Sequence, residues 1–208
     1  MTSFIFDLDG VLVFTDHLHY LAWKKMADRI GVYFDEQINN RLRGVSRMDS
    51  LEIILERSEK NYTQEEKLAL AEEKNEYYKE ALKSLSPADV SDIVTDTLAE
   101  LHNRGYKLAI GSSSKNTKYI LEKTGLLKYF DAISDGTNIT KSKPDPEVFL
   151  MAADFLDELP QHCVVVEDAP SGIDAAKAAQ MKAVGIGEAA SYSRTDYPIR
   201  TLHDLLDL

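Results

Sequence analysis

Five short apolar runs stand out along the chain: Thr2 to Phe6, Lys107 to Gly111, Phe130 to Ser134, Cys163 to Val166 and Lys182 to Ile186. Most stop abruptly at polar or turn-forming residues, as buried strands do when they empty into loops. From the second run onward they alternate with helical patterns, which implies parallel strands joined by crossover helices. Ser91 or Asp92 opens a segment carrying Ile93, Val94, Leu98 and Leu101 up to Gly105. Asp145 before Pro146 and Glu147 suits an N-cap followed by proline at the first helical position. Ser171 and Asp174 have the spacing of a capping box. After Thr201 the pattern predicts a loop and a short helix.

Between the first and second runs lie about seventy residues that read almost wholly as helix, far more than the ~2–6 residues of an ordinary α/β connection. Asp16 suits the start of a helix that turns Leu18, Leu21, Ala22 and Met26 inward and ends at Gly31, and Asp35 suits a second before Gly44. Met48 to Ser58 makes a third. Thr63 to Ser84 makes a fourth, with Thr63 and Glu66 as a capping box and Pro87 as the stop. The expected architecture is therefore α/β: a doubly wound, Rossmann-like parallel sheet built from residues 1–14 and 88–208, with an inserted α-helical cap subdomain over 15–87.

Charge narrows the functions. Lys and Arg total 24 against 35 Asp and Glu, a net charge of −11, which argues against a broad electrostatic grip on nucleic acid or an anionic membrane. The apolar stretches fall short of the ~18 residues that span a bilayer. One cysteine, Cys163, excludes an internal disulfide framework, and the N-terminus lacks the basic-then-apolar pattern of a secretory signal, so a cytoplasmic protein is expected. An anionic ligand would then need local positive charge or a metal.

Candidate chemistry sits at the strand ends, where open parallel sheets bind ligands. Asp7 and Asp9, two apart on an extended strand, would face one crevice with Leu8 turned inward; Asp7 and Asp9-Gly10 also suit a simple turn. Glu167 and Asp168 follow the fourth run, completing a set of oxygen ligands suited to a hard cation such as Mg²⁺. Ser112 to Lys115 follow the second run and offer hydroxyls and amides to an anion, while Lys143 places a cation beside the acids. Taken singly, the serines also read as caps and Lys143 as a solvated surface residue.

Phe6-Asp7-Leu8-Asp9-Gly10-Val11, then Ser112, then Lys143-Pro144-Asp145-Pro146, then Glu167-Asp168, resemble in order the four motifs of the haloacid dehalogenase superfamily, across the whole core. Thr15, His19, Ala22-Trp23, Leu42 to Arg47, Lys74-Asn75, Ser86 to Asp89 and Ser114 to Asn116 resemble the phosphoglucomutase branch of that superfamily. The resemblance implies an isomerase that interconverts β-D-glucose 1-phosphate and D-glucose 6-phosphate through an aspartyl phosphate and β-glucose 1,6-bisphosphate, the latter both intermediate and activator; a sugar-phosphate phosphatase and a non-catalytic sugar-phosphate binding protein are the alternatives. It implies Asp7 as nucleophile, Asp9 as general acid and base, and Ser112 and Lys143 on the transferring phosphoryl group. One Mg²⁺ would be held by Asp7, the Asp9 main chain and Asp168, with Glu167 near or in its shell. Thr15, His19, Trp23, Gly44, Val45, Ser46, Arg47, Lys74, Ser114, Lys115 and Asn116 are the expected substrate contacts, although from the residues alone Arg47 and His19 read as ordinary helix polar groups and Trp23 as core. A monomer acting on a small sugar phosphate is expected, with no nucleic-acid or membrane partner. Two departures stand out: Phe14 where the superfamily often has aspartate before Thr15, and Arg43 in place of lysine.

Overall fold

The computed structural model describes residues 3–42 and 46–208. Two compact units emerge, Met1–Phe14 with Leu85–Leu208, and Thr15–Ser84. The first is built on six parallel strands, β1 (Ser3–Phe6), β2 (Lys107–Gly111), β3 (Ala132–Ser134), β4 (Cys163–Glu167), β5 (Lys182–Gly185) and β6 (Tyr197–Pro198), in the order β3-β2-β1-β4-β5-β6. β1 and β4 are buried at every position, as central strands covered on both faces must be. In register, Ile5 lies beside Ala109 and Val165, and Val165 beside Ala183. The unit's helices are α5 (Asp92–Asn103), α6 (Thr117–Thr124), α7 (Glu147–Phe155) and α8 (Pro170–Ala178), and that row packs into one core with Phe149, Ala152, Ile173 and Ala176 from α7 and α8. Alternate residues point the other way: Phe4 meets Tyr106 edge-on at 5.1 Å and Phe6 meets Phe130 at 6.1 Å. The chain steps outward from β1 to β3 and then returns beside β1 as β4, which places the topological switch beyond the carboxyl ends of β1 and β4.

The second unit holds α1 (Asp16–Arg29), α2 (Glu36–Asn40), α3 (Arg47–Leu55) and α4 (Gln64–Leu82) around a core that includes Trp23, Met26, Phe34, Leu51, Ile54 and Leu70. Caps set the helix starts. The Asp35 carboxylate accepts the Ile38 amide at 2.9 Å, and Thr63 and Glu66 form the expected reciprocal box, at 3.2 and 2.8 Å. No helix among the described residues is long and apolar enough to cross a membrane.

Several expectations are corrected. α1 buries Ala22, Trp23, Met26 and Ala27, a stripe that leaves Leu21 exposed rather than inward. Ser171 lies inside α8, which starts at Pro170, so it caps nothing; Asp174 instead accepts the Tyr192 hydroxyl at 3.0 Å and pairs with Arg194. α7 starts at Glu147, whose amide donates to the Asp145 carboxylate at 3.1 Å, with Pro146 in the cap position. The two-residue β6 had no signal. Thr2 and the glycine expected to end the second helix, Gly44, lie outside the described residues. The chain re-enters the sheet unit at Leu85, and the short 3₁₀ turn Pro87–Asp89 belongs to that unit.

Candidate active site

Asp7 leaves β1 with its amide still donating to Val166 at 2.9 Å, so the sheet ladder carries it one residue beyond the strand. There the extended chain ends. Gly10 adopts φ +85°, its amide donates to the Val13 carbonyl at 2.7 Å, and Asp9 bridges to Val13 in a tight loop. The strand alternation invoked for Asp7 and Asp9 therefore stops at Phe6, although Leu8 is fully buried as expected. Gly10 is required twice over: its φ suits only glycine, and a Cβ there would lie 2.1 Å from Asp168 Oδ2.

Lys143 joins the two ends of the site. Its Nζ lies 2.6 Å from Asp7 Oδ1 and 2.6 Å from Glu167 Oε1, with all three side chains nearly buried. Burial disfavours the ammonium, but the two carboxylates outweigh it and hold the Lys143 pKa above its ordinary value. Glu167 is fixed from behind by the Ala169 amide at 3.0 Å. A Cβ on Gly172 would fall 1.9 Å from the Glu167 carboxyl carbon, so the first turn of α8 rests directly on that side chain.

Asp7, Glu167 and Asp168 each offer an oxygen within 4.8 Å of the others. Burial first, and then the neighbouring acids Glu167 and Asp168 against the opposing pull of Lys143, raise Asp7 well above the usual carboxylate range. Burial and Glu167, opposed by Lys143 and aided by Asp9, push Asp168 up to about 7. Three carboxylates against one ammonium leave a formal charge of −2 when all are ionised, and the donors are all oxygen. That chemistry fits a divalent hard cation such as Mg²⁺. Asp9 contributes no side-chain oxygen to the cluster.

Ser112, almost fully buried, follows β2; its amide donates to Ser134 O at 3.1 Å, and its Oγ accepts the Ser114 amide at 3.2 Å. Ser114 Oγ in turn accepts the Asn116 amide at 3.2 Å. Lys115 between them is exposed. Within the helical unit, His19 Nδ1 accepts from Lys74 Nζ at 2.8 Å while the imidazole stacks on Tyr78 at 3.9 Å. Burial, then Lys74 and Arg47, lower the His19 pKa well below its usual value, so the ring is neutral and carries its proton on Nε2. Lys74 lies 4.8 Å from the Trp23 and Tyr78 ring centroids. Trp23 is only 3% exposed and belongs to the helical core. Thr15 is equally buried, 3.0 Å from the Tyr78 hydroxyl. Ser46 caps α3 through the Asp49 amide at 3.2 Å, and Arg47 reaches Asn75 Oδ1 at 3.1 Å and Glu72 at 3.7 Å. Arg43, Gly44 and Val45 lie outside the described residues.

Sequence reasoning missed Gly172, Tyr78 and Glu147. The carboxylate of Glu147 accepts the Thr140 and Lys141 amides at 3.0 and 2.7 Å and so anchors the loop leading to Lys143. Gly172 had a signal: a glycine inside a helix, worth about 1 kcal/mol less than alanine, points to close packing.

The profile of the haloacid dehalogenase-like hydrolases matches residues 4–186. The chain belongs to this family. The matched stretch takes in residues of both units, and this chain is an enzyme of the haloacid dehalogenase superfamily with its α/β fold. It is 42% identical over 207 residues to the β-phosphoglucomutase of Bacillus subtilis, covering 99% of this chain and 92% of that one. The crystal structure of a β-phosphoglucomutase from Clostridium difficile superposes with a TM-score of 0.90 at 38% identity, covering 99% and 93% of the two chains. A phosphorylated carbohydrates phosphatase of Thermotoga maritima is 33% identical over 187 residues, covering 88% of this chain and 84% of that one.

Proposed function

We propose that this haloacid dehalogenase-like enzyme is a β-phosphoglucomutase. The observation that carries the reaction class is the Asp7 carboxylate held 2.6 Å from Lys143 beside Glu167 and Asp168. The likeness to the Bacillus subtilis enzyme, which extends over the helical unit as well as the sheet, carries the substrate. In the cycle, the sugar C6 hydroxyl attacks phosphorus of aspartyl-phosphorylated Asp7, Asp9 takes the hydroxyl proton, and the bond from Asp7 to phosphorus breaks to release β-glucose 1,6-bisphosphate. The bisphosphate turns over, Asp7 attacks the C1 phosphorus, and Asp9 returns the proton to the departing sugar oxygen. Ser112 and Lys143 hold the transferring phosphoryl oxygens. Mg²⁺, held by Asp7, Asp168 and the Asp9 carbonyl with Glu167 beside it, would neutralise charge on those oxygens. Ser114, Lys115 and Asn116 take the other phosphate of the sugar, and Arg47, Lys74 and His19 supply recognition from the helical unit.

The deciding experiment supplies anomerically pure β-glucose 1-phosphate, Mg²⁺ and catalytic β-glucose 1,6-bisphosphate. Glucose 6-phosphate is the expected product. A second reading, sugar-phosphate hydrolysis, is favoured by the likeness to the Thermotoga maritima phosphatase; release of inorganic phosphate without glucose 6-phosphate would establish it instead. Binding without turnover, unaffected by Asp7→Asn, would leave a binding protein.

A further inference from the structure

The loop from Ser112 to Asn116 is held from outside as well as by its own serine hydroxyls. Ser114 O accepts the Gly136 amide at 3.1 Å and the Thr117 hydroxyl at 2.8 Å, while Ser112 N is tied to Ser134 O. The supporting turn is itself locked. Asp135, buried, accepts the Thr137 amide at 2.8 Å and the Thr137 hydroxyl at 2.5 Å on one oxygen, and its own amide donates to Asn138 Oδ1 at 2.7 Å. Asn138 Nδ2 then reaches back to Ser134 Oγ at 3.1 Å. Against this turn the serine loop lies flat: a Cβ on Gly136 would sit 2.4 Å from Ser113 O and 2.9 Å from Lys115 N. Two buried atoms in the neighbouring loops, Ser113 Oγ and Asp135 Oδ2, have no hydrogen-bond partner among the described residues.

The consequence falls on two hydroxyls. Because Ser112 Oγ and Ser114 Oγ each spend a lone pair on a backbone amide two residues on, their hydrogens remain for donation to an acceptor such as a phosphate oxygen. We propose that Gly136, with the Asp135–Thr137–Asn138 turn behind it, is a positioning element that sets the Ser113–Lys115 backbone for recognition of the sugar's second phosphate. This rests on the sugar-phosphate reading of the loop and adds to it residues from the turn after β3. Ser112, tied separately to Ser134, is affected less.

The test compares two ligands on Gly136→Ala, with folding checked by circular dichroism. Since displacements near 1 Å can cost up to ~100-fold, glucose 6-phosphate affinity by calorimetry is expected to fall at least about tenfold. Phosphorylation of Asp7 by acetyl phosphate, which has no second phosphate, should stay within about threefold of wild type. Thr137→Val, which removes one bond to Asp135 at nearly constant shape, should give a smaller loss with the same selectivity and serves if the alanine variant does not fold. Equal losses towards both ligands, or unchanged glucose 6-phosphate binding in the folded variant, would overturn the proposal. A wild-type enzyme that hydrolyses rather than isomerises removes the mutase reading while leaving this comparison decisive; one that binds no sugar phosphate removes both.

Discussion

Asp168→Asn tests whether the acidic cluster is built for a cation. With its pKa pushed up to about 7, folded Asp168 keeps a proton that the unfolded chain releases near pH ~4, so stability falls as pH rises from ~4 to ~7 and the deficit is complete above that window. A shift of about three units corresponds to at most ~4 kcal/mol, and partial solvent access reduces this to about 2 kcal/mol. Asparagine carries no charge, so in EDTA at pH 7.5 the variant should be more stable, by roughly 4–8 °C in melting temperature for a chain of this size. Saturating Mg²⁺ reverses the order: at a hundred times its dissociation constant it stabilises wild type by ~2.7 kcal/mol, while the variant, having lost a ligand, gains little. Thermal unfolding with and without Mg²⁺ across pH 4.5–8 (about one unit beyond the titration window at its upper end) reads both arms. A variant no more stable than wild type in EDTA, or a difference that does not grow with pH, would refute the electrostatic reasoning.

Other outcomes follow from the same geometry. Gly172→Ala gains about 1 kcal/mol of helix propensity but places a methyl group in the Glu167 carboxyl, a collision of ~1–3 kcal/mol that should also displace Lys143; urea unfolding and the rate of Asp7 phosphorylation should both fall, and a more stable, fully active variant contradicts this. The depressed His19 pKa means the folded state binds fewer protons than the unfolded chain, so its contribution is present above pH ~6.5 and lost as pH falls below it. His19→Asn should flatten the acid limb of a stability–pH curve, and an unchanged limb would show that another group controls it. Asp9→Ala should retain Mg²⁺ affinity by calorimetry yet lose sugar turnover, because its side chain lies outside the carboxylate cluster; a loss of affinity matching Asp168→Ala would assign its carboxylate to the metal.

The sheet was legible because its central strands are apolar runs buried on both faces, and the Thr63–Glu66 box because it is local in sequence. Features decided by tertiary packing were not. Leu21 fits a helical repeat as well as Trp23 does, and only the packing of the neighbouring helices selects the stripe. Ser171 and Asp174 have capping spacing, but Pro170 already begins the helix. β6 is two residues long and contains proline, too little pattern to register. At the site, motif order named Asp7, Lys143 and Glu167, yet the double ion pair spans 136 residues on one side and 24 on the other, beyond any local rule. Gly136 and Gly172 matter through the side chain they lack, which becomes visible only once the neighbouring backbone or carboxylate is in place.

Tethering a single ammonium to two acids has a consequence for the proposed cycle. When Asp7 becomes an acyl phosphate its oxygen no longer carries a full charge, and a lysine relying on that partner alone would swing away. Glu167, 2.6 Å from the amine on its own account, keeps it moored, so the ammonium is handed from carboxylate to phosphoryl oxygen without travelling. Each turnover then begins and ends with the same residue already in its berth.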